Sequence, residues 1–258
     1  MIYGLYLSAT GIITNSHQQD VIANNLANAE TGGFKRELAL TEQRRVESQA
    51  MHAAGRGGRN PLLDNIGGGQ LLAPSWFDHT QGSLATSSNN FDTAMQGTGF
   101  LAVQDKGQLR LTRNGALTLD KDGRLITSAG QQVLDANKEP IRLDMNGRKQ
   151  ADLTIGTDGS IAVQGEETVL ARIGLFEPTD VQSVKPVGGN MFAPTGGTQL
   201  VPAKGLLRSS MTETSNVDPA TEMTRLMETQ RLLEANANMI KMQDQTLGRA
   251  VNDLGKIG

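Results

Sequence analysis

The residue types that carry catalysis and metal binding occur in this sequence without the spacing that such chemistry needs. Across 258 residues there is no cysteine, which excludes disulfides, thiolate-bound zinc, iron–sulfur clusters and cysteine nucleophiles. The histidines His17, His52 and His79 are far apart, so they form neither an i, i+4 zinc pair nor a recognisable serine–histidine–aspartate triad. We therefore predict no catalytic residue and no metal ligand.

Two short motifs resemble ligand-binding loops but lack essential positions. Gly97-x-Gly99 has no third glycine and no βαβ context, and the chain contains no Walker phosphate loop. Asp120-x-Asp122-Gly123 resembles half of a calcium loop, but Thr118 stands where a further ligand should begin and no glutamate follows at the required distance. A hairpin turn is the better interpretation of this second motif. The sequence predicts no cofactor and no enzyme.

The overall composition excludes several classes of partner. The formal net charge is -3 at pH 7 and the basic residues are scattered, so nothing favours binding to nucleic acid or to an anionic membrane. No segment approaches the ~20 apolar residues that span a bilayer. Residues 1–34 contain no lysine or arginine and no continuous apolar stretch of signal-peptide length, so we predict no cleaved signal.

The longest predicted element is a C-terminal helix over residues 219–254. Asp218 is a suitable N-cap, Pro219 suits the first helical position, and at ~1.5 Å per residue the helix would be about 54 Å long. Apolar residues recur every seven positions at Leu226, Leu233, Ile240, Leu247 and Leu254. The intermediate seam positions are Met223, Gln230, Ala237, Asp244 and Val251.

This seam predicts pairing with another helix. The polar residues Gln230 and Asp244 either fix its register or mark a solvated stretch. Because the helix is longer than a small domain can cover, we expect the next copy of the chain to be its complement. Four methionines on the same helix either form an adaptable partner surface or fill the seam: Met223, Met227, Met239 and Met242.

The N-terminal segment shows the same spacing more weakly. Its seam positions are Ile2, Leu5, Ala9, Ile12, Ser16, Gln19, Ala23 and Leu26. Two interpretations fit the spacing: a helix that pairs with the C-terminal seam, and an amphipathic helix that packs on the central domain. The pattern stops in the asparagine-rich residues 24–28 and at the double glycine Gly32-Gly33, for which we predict capping, turn and helix-ending roles.

Between the two ends the helical period disappears, and short apolar segments alternate with turn formers. The turn signals are Asp105-Lys106-Gly107, Arg113-Asn114-Gly115, Asp120-Lys121-Asp122-Gly123, Asn146-Gly147 and Asp158-Gly159. We predict a mainly antiparallel β domain over residues 76–214. The preceding residues 34–75 are charged and then glycine-rich, which is typical of a connector.

Both ends carry strings that resemble the signatures of bacterial flagellar rod and hook axial proteins. The matching residues are Asn24, Asn25, Leu26, Asn28, Thr31, Gly33, Phe34 and Lys35 near the N-terminus, and Ser215, Asn216, Val217, Gln230, Arg231, Glu234 and Asn236 near the C-terminus. Gly32 stands where the family has a second threonine, and Leu232-Leu233 replaces the usual aromatic residue. Residues 81–84, 91–95, 97–101, 112–115, 120–123 and 186–192 resemble the family's central motifs, so the resemblance covers most of the chain.

This resemblance implies an α+β fold in which long N- and C-terminal helices pair as a coiled-coil-like tube domain. The N-terminal helix would occupy residues 1–33, the connector 34–75, a central antiparallel β domain 76–214, and the C-terminal helix 215–258. The family's function implies a structural subunit of the basal-body rod that polymerises through these helices and transmits motor torque. The expected partners are copies of itself, neighbouring rod and hook axial proteins, and the flagellar type III export apparatus, in the periplasmic rod and without signal cleavage.

Three alternatives stay open at this stage. A hook-type axial or junction subunit shares the same motifs, and these motifs do not separate proximal from distal rod proteins. A cytoplasmic coiled-coil interaction protein would oligomerise without entering a tube. A carbohydrate-acting enzyme would need a pocket with paired carboxylates on the β domain. Matching signatures at both ends favour the rod.

Overall fold

The structure is a computed structural model, and it describes residues 2–44, 68–144, 152–165 and 168–254. The chain divides into two compact units. The helical unit comprises Met1–Ala27, Glu37–Trp76 and Asp218–Gly258, and the β unit comprises Asn28–Arg36 and Phe77–Val217. His52, residues 55–59 of the glycine-rich connector and the turn signal Asn146-Gly147 lie outside the described residues.

Each end of the chain carries one long α-helix. Helix α1 spans Ile2–Ala27 and helix α2 spans Pro219–Leu254, so the helix predicted over 219–254 is confirmed. Asp218 caps α2, because its Oδ1 accepts a hydrogen bond from Ala220 N at 3.2 Å and its carbonyl accepts one from Glu222 N at 3.0 Å.

The chain turns tightly after α1. Thr31 N donates to Asn28 O at 3.1 Å, which closes the turn. Gly33 has a φ of +68°, and a Cβ there would lie 2.5 Å from the carbonyl carbon of Arg113. Other residue types rarely adopt this φ and would clash here, so Gly33 needs to be glycine. The predicted helix-ending role of the double glycine was wrong, because α1 already ends at Ala27.

The strands between the two helices are short, at two to six residues each. They are β1 (Glu37–Leu38), β2 (Thr41–Gln43), β3 (Gln70–Leu72), β4 (Trp76–Phe77), β5 (Leu84–Thr86), β6 (Thr93–Gln96), β7 (Phe100–Asp105), β8 (Gln108–Thr112), β9 (Leu117–Leu119), β10 (Leu125–Thr127), β11 (Gln132–Val133), β12 (Leu153–Ile155), β13 (Ser160–Val163), β14 (Val169–Arg172), β15 (Leu175–Pro178), β16 (Val184–Gly188), β17 (Met191–Pro194), β18 (Leu200–Pro202), β19 (Leu206–Ser209) and β20 (Met211–Glu213). A 3-10 turn, Val181–Ser183, precedes β16.

The largest sheet of the β unit follows the strand order β16-β17-β8-β7-β11-β10-β9, and β15 pairs with both β7 and β18. Smaller sheets are formed by β12-β13-β14, by β6 with β19 and by β5 with β20, whereas β2 and β3 pair within the helical unit. The strands in these pairs run antiparallel. The α+β fold class with a central antiparallel β region is therefore confirmed, while supercoiling of the helices stays a prediction.

Strand β7 is buried on both faces and organises the core of the β unit. Leu101 and Val103 belong to one apolar cluster, and Phe100 and Ala102 belong to a second one. Successive side chains of a strand point to opposite faces, so β7 separates the two clusters. Leu111 on the neighbouring β8 extends the second cluster. The β unit closes these clusters with its own residues.

Most of the predicted turns in the described residues are hairpins. Lys106 and Gly107, with φ values of 48° and 78°, join β7 to β8, and Asp158-Gly159 joins β12 to β13. The prediction was wrong for Arg113-Asn114-Gly115, because β8 pairs with β7 and β17 whereas β9 pairs with β10. Gly115 O instead accepts a hydrogen bond from Thr93 N at 2.8 Å, so this segment crosses to another part of the unit.

Candidate functional site

The contact between α1 and α2 is built around glycines and polar side chains. A Cβ on Gly4 would lie 2.7 Å from Gln243 Nε2, and one on Gly11 would lie 2.8 Å from Asn236 Nδ2. From Gly4 to Gly11 the chain advances seven residues along α1, while the contacted residue on α2 moves back seven, from Gln243 to Asn236. The two helices are therefore antiparallel, and their contacts repeat every seven residues. Because glycine has no side chain, the Gln243 and Asn236 side chains of α2 can lie directly over the backbone of α1 at these positions.

The structure divides the predicted seam of α2 between two sides of the helix. Half-buried positions are Leu226, Leu233, Ile240 and Leu247, whereas exposed positions are Met223, Gln230, Ala237, Asp244 and Val251. The inward positions that accompany the leucines lie one residue earlier, at Glu222, Thr229, Asn236, Gln243 and Ala250. Sequence reasoning missed this set because it is mostly polar. The side chains of Ile2 and Leu254 lie outside the described ones.

The predicted seam of α1 is also only partly inward. Leu5, Ala9, Ile12 and Leu26 are half-buried, while Ala23 is exposed. The buried side chains of α1 are instead Ser8, Thr14, Asn15, Val21, Ile22 and Asn25. The seven-residue spacing of Gly4 and Gly11, continued at Gln18 and Asn25, is the sequence signal that would have identified the side facing α2. Assembly roles for the seam residues stay predictions.

Large apolar side chains remain exposed over the helical unit. On α2 they are Met223, Met227, Leu232, Met239, Met242 and Val251, and on α1 they are Tyr3, Tyr6 and Ile13. The strands and segments of the same unit add Leu40, Leu71, Leu72 and Trp76. We call the α2 set the exposed α2 surface. Exposed apolar side chains gain free energy when another protein covers them.

One of the signature asparagines joins three parts of the helical unit. Asn25 is 1% exposed, and its Nδ2 donates to Glu37 O at 2.7 Å while its Oδ1 accepts from Glu37 N at 2.9 Å. The same Nδ2 lies 3.4 Å from Glu222 Oε2 near the start of α2. Asn25 therefore ties the end of α1 to β1 and α2, rather than capping a helix as predicted. Asn28, by contrast, has the predicted turn role.

A buried ion network anchors two chain segments within the β unit. Glu213 Oε1 accepts from Lys35 Nζ at 2.7 Å and from Gly82 N at 3.1 Å, and its Oε2 lies 3.4 Å from Arg113 Nη1. Lys35 Nζ also donates to Thr80 O at 2.7 Å. Burial lowers the pKa of Lys35, although the hydrogen bond and charge of Glu213 oppose this shift.

This network explains one signature residue and adds two that sequence reasoning missed. Lys35 was selected by resemblance alone, and its partner Glu213 lies far away in sequence. Arg113 was assigned to a turn, but its Nη2 donates to Gly97 O at 2.9 Å and its guanidinium lies 5.2 Å from the centre of the Phe100 ring. A buried charge needs such partners, because an unpaired one is costly.

The C-terminal signature provides further anchors. Asn216 Oδ1 accepts from Arg36 N at 2.8 Å, and its Nδ2 donates to Asp78 O at 2.8 Å. Ser215 Oγ accepts from Val217 N at 3.2 Å. The remaining signature residues of α2 lie at the surface or face α1: Gln230, Arg231 and Glu234 are exposed and Asn236 is half-buried.

The described residues offer no arrangement typical of catalysis. Within residues 2–44, 68–144, 152–165 and 168–254, no cluster of three or more histidine, aspartate and glutamate side chains could hold a metal ion. None of the helices in this part of the chain has the length and apolar character needed to cross a bilayer. What the geometry does provide is a long helix with exposed apolar side chains and a β unit with a closed core, which together define a structural assembly subunit.

Comparisons with known proteins identify the family. The family model described as "Flagella basal body rod protein" matches residues 5–35, "Flagellar hook protein FlgE/F/G D1 domain" matches 94–163, and "Flagellar basal body rod FlgEFG protein C-terminal" matches 208–254. The flagellar basal-body rod protein FlgF of Caulobacter vibrioides is 35% identical over 98% of both chains. FlgG of Buchnera aphidicola is 31% identical over 96% of this chain and 98% of the relative, and FlgG of Borreliella burgdorferi is 29% identical over 98% of both.

The chain therefore belongs to the flagellar basal-body rod protein family, and the resemblance seen in its signatures is confirmed. It is a structural protein of the flagellar basal body and not an enzyme.

Proposed function

We propose that this chain is a rod subunit that polymerises through α1 and α2 into a tubular drive shaft and transmits motor torque. The observation that carries this proposal is the exposed α2 surface. Leu232 is 54% exposed and Met239 is 46% exposed, although both lie within a 36-residue helix. Apolar side chains that stay in water within one chain gain free energy when another chain covers them.

The helix contacts supply a means of carrying torsion. The seven-residue correspondence between Gly4 and Gln243 and between Gly11 and Asn236 fixes the register of α1 against α2. Asn25 ties both helices to β1 through Glu37 and Glu222. A subunit whose two helices cannot slide along each other passes a twisting load to its neighbours. No chemical step is needed.

The partners in this proposal are copies of the chain and neighbouring rod and hook axial proteins. Residues 1–33 and 215–258 are assigned to assembly. The relatives named as basal-body rod proteins support a rod position, whereas the D1 family model, which names the hook protein as well, keeps a hook-type axial subunit as the second candidate. Export by the flagellar type III apparatus without signal cleavage, into the periplasmic part of the basal body, completes the proposal.

A proline in the middle of α2 tests the role of this helix. Leu233→Pro removes a backbone donor and breaks the helix, so motility and incorporation into purified basal bodies should be lost. Leu233→Ala is the matched control, because it shortens the same side chain but keeps the backbone donor and the helix, and so separates helix breaking from side-chain loss. Both variants should keep the β unit folded, which its hydrogen-exchange pattern would show. Normal motility and incorporation of Leu233→Pro would refute assembly through α2.

A further inference from the structure

Within the β unit, residues 78–80 lie between the segments that follow α1 and precede α2 in sequence. On one side, Asp78 N donates to Arg36 O at 2.9 Å and Thr80 O accepts from Lys35 Nζ at 2.7 Å. On the other side, Asn216 Nδ2 donates to Asp78 O at 2.8 Å. Residues 78–80 therefore hold both segments at once, and the residue at their centre is His79.

The ring of His79 sits in an aromatic cluster. It lies 5.8 Å from the centre of the Phe100 ring, nearly perpendicular to it, and 5.4 Å from the Phe192 ring. Phe77 packs against Phe192 at 5.9 Å and closes the cluster. The buried His79 Nδ1 has no hydrogen-bond partner within the described residues. These surroundings suit a neutral ring and offer nothing to stabilise an imidazolium.

The charges around His79 oppose its protonation. Lys35 and Arg113 are both buried cations, and Arg113 contacts the same Phe100 ring as His79 does. The buried carboxylate of Glu213 is already shared by these two cations, and Asp78 is the remaining anion close to the ring. Burial, together with the charges of Lys35 and Arg113 and against that of Asp78, lowers the pKa of His79 from 6.5 to about 4.

We propose that His79 and its neighbours form an acid-sensitive clamp that holds residues 28–36 and 211–217 in the β unit at neutral pH and releases them when the ring is protonated. A third cation beside Lys35 and Arg113 repels both, and it displaces the residues that hydrogen-bond to the two segments. The sequence leads from these segments directly into α1 and α2. Acid therefore loosens the attachment of both helix ends before it unfolds the β-unit core.

The pH range over which the clamp opens follows from the lowered pKa of His79. When the clamp opens, His79 regains its ordinary pKa of about 6.5, so the open form binds more protons than the closed form. The closed form is fully favoured above about pH 6.5, and it loses stability as the pH falls towards 4. One pH unit below 6.5, the opening equilibrium constant should be about tenfold larger than at neutral pH.

Hydrogen exchange of the full chain tests this clamp. In the wild type, protection factors of peptides covering residues 28–36 and 211–217, corrected for intrinsic exchange rates, should fall about tenfold between pH 7.5 and 5.5. His79→Phe keeps an aromatic ring that cannot be protonated, so this fall should disappear. His17→Gln is the matched control, and it should retain the fall. An unchanged fall in His79→Phe would overturn the proposal, as would its absence in the wild type.

A second measurement does not depend on the variant folding. An NMR titration of the histidine rings of the wild-type chain should show His79 titrating well below the ordinary histidine pKa of 6.5, with resonances of residues 28–36 changing over the same pH range as those of His79. Titration of His79 at an ordinary histidine pKa, or no response of residues 28–36, would overturn the clamp.

Discussion

The β unit and the helical unit bury their side chains in opposite ways. In the β unit, Phe100, Leu101, Ala102 and Val103 of β7 are each at most 2% exposed, so four consecutive apolar residues are withdrawn from water. Along the described side chains of α2, only Glu222 and Thr229 are buried, and both are polar. The seam residues Leu226, Leu233, Ile240 and Leu247 are half-buried. The β unit therefore completes its own core, and α2 does not.

The same contrast holds for exposed apolar surface. Among the described side chains of the β unit, the large apolar ones that remain exposed are Val169, Val187, Val201 and Leu206. The helical unit carries a larger set, which includes the exposed α2 surface, Tyr3, Tyr6 and Trp76. From this difference we propose that stability and assembly are separated in the chain. In this proposal the β unit supplies stability and the helical unit supplies surface for assembly.

The largest effect should come from the buried ion network of the β unit, because Lys35, Glu213 and Arg113 are each at most 5% exposed. Glu213→Gln leaves Lys35 and Arg113 buried without a carboxylate between them. We expect the free energy of unfolding of the β unit to fall by about 3–5 kcal/mol, measured by urea denaturation. Arg172→Ala, which removes the exposed pair with Asp158, should change it by less than about 1 kcal/mol. Equal effects of the two variants would contradict the structural importance of burial here.

A matched pair of leucine truncations compares the two units directly. Leu111→Ala removes a fully buried side chain of the β unit and should lower the free energy of unfolding by about 2–5 kcal/mol. Leu232→Ala, on a side chain that is 54% exposed, should change it by no more than about 0.5 kcal/mol. In cells, Leu232→Ala should reduce incorporation into basal bodies although its free energy of unfolding is nearly unchanged. Urea denaturation and basal-body immunoblots measure the two effects.

The contact between Gly11 of α1 and the Asn236 side chain of α2 can be tested by one substitution. Gly11→Leu places a large side chain where a single Cβ would already lie 2.8 Å from Asn236 Nδ2, so it should weaken helix pairing by about 1–3 kcal/mol. Gly248→Leu, where a Cβ would meet nothing within 4 Å, should instead stabilise α2 by up to about 1 kcal/mol. Thermal melting of the far-ultraviolet helix signal distinguishes them, and similar melting curves would show that the glycine contact is unimportant.

The smallest effect concerns the start of α2. The hydrogen bonds that the Asp218 carboxylate accepts from the Thr221 hydroxyl and the Ala220 amide lower the pKa of Asp218. This exposed cap therefore contributes above its ordinary pKa of 3.8, and its contribution is lost as the pH falls further. Asp218→Ala should speed amide exchange in residues 219–222 at neutral pH and leave the β unit unchanged. Equal exchange rates would show that the cap does not hold the first turn.

Local sequence signals were sufficient for much of the fold. The N-cap Asp218, Pro219 and a proline-free heptad pattern predicted α2 correctly, because helix ends and periodicity depend on neighbouring residues. Asp105-Lys106-Gly107 predicted the β7–β8 hairpin for the same reason. The resemblance of the two terminal strings to the flagellar family was equally informative, and it identified Asn25, Lys35 and Asn216 without explaining their contacts.

The features that sequence reasoning missed depend on distant partners. Glu213 contacts Lys35 and Arg113, which lie 178 and 100 residues away, and no local pattern predicts such a pair. The predicted seam of α2 included Gln230, Ala237 and Asp244, which are exposed. The residues that face inward are the preceding ones, Thr229, Asn236 and Gln243, and a search for apolar residues overlooks them because they are polar. These polar residues can face α1 because Gly4 and Gly11 leave room for long side chains.

Accessibility of α2 in the assembled rod tests the central claim most directly. The chain has no native cysteine, so a single introduced cysteine can be labelled without interference. Met239→Cys on the exposed α2 surface and Val187→Cys on the β unit should both react with a maleimide in the isolated chain, where these side chains are 46% and 44% exposed. In purified basal bodies, the cysteine at position 239 should be protected while the one at 187 still reacts. Equal labelling at position 239 before and after assembly would contradict assembly through the terminal helices.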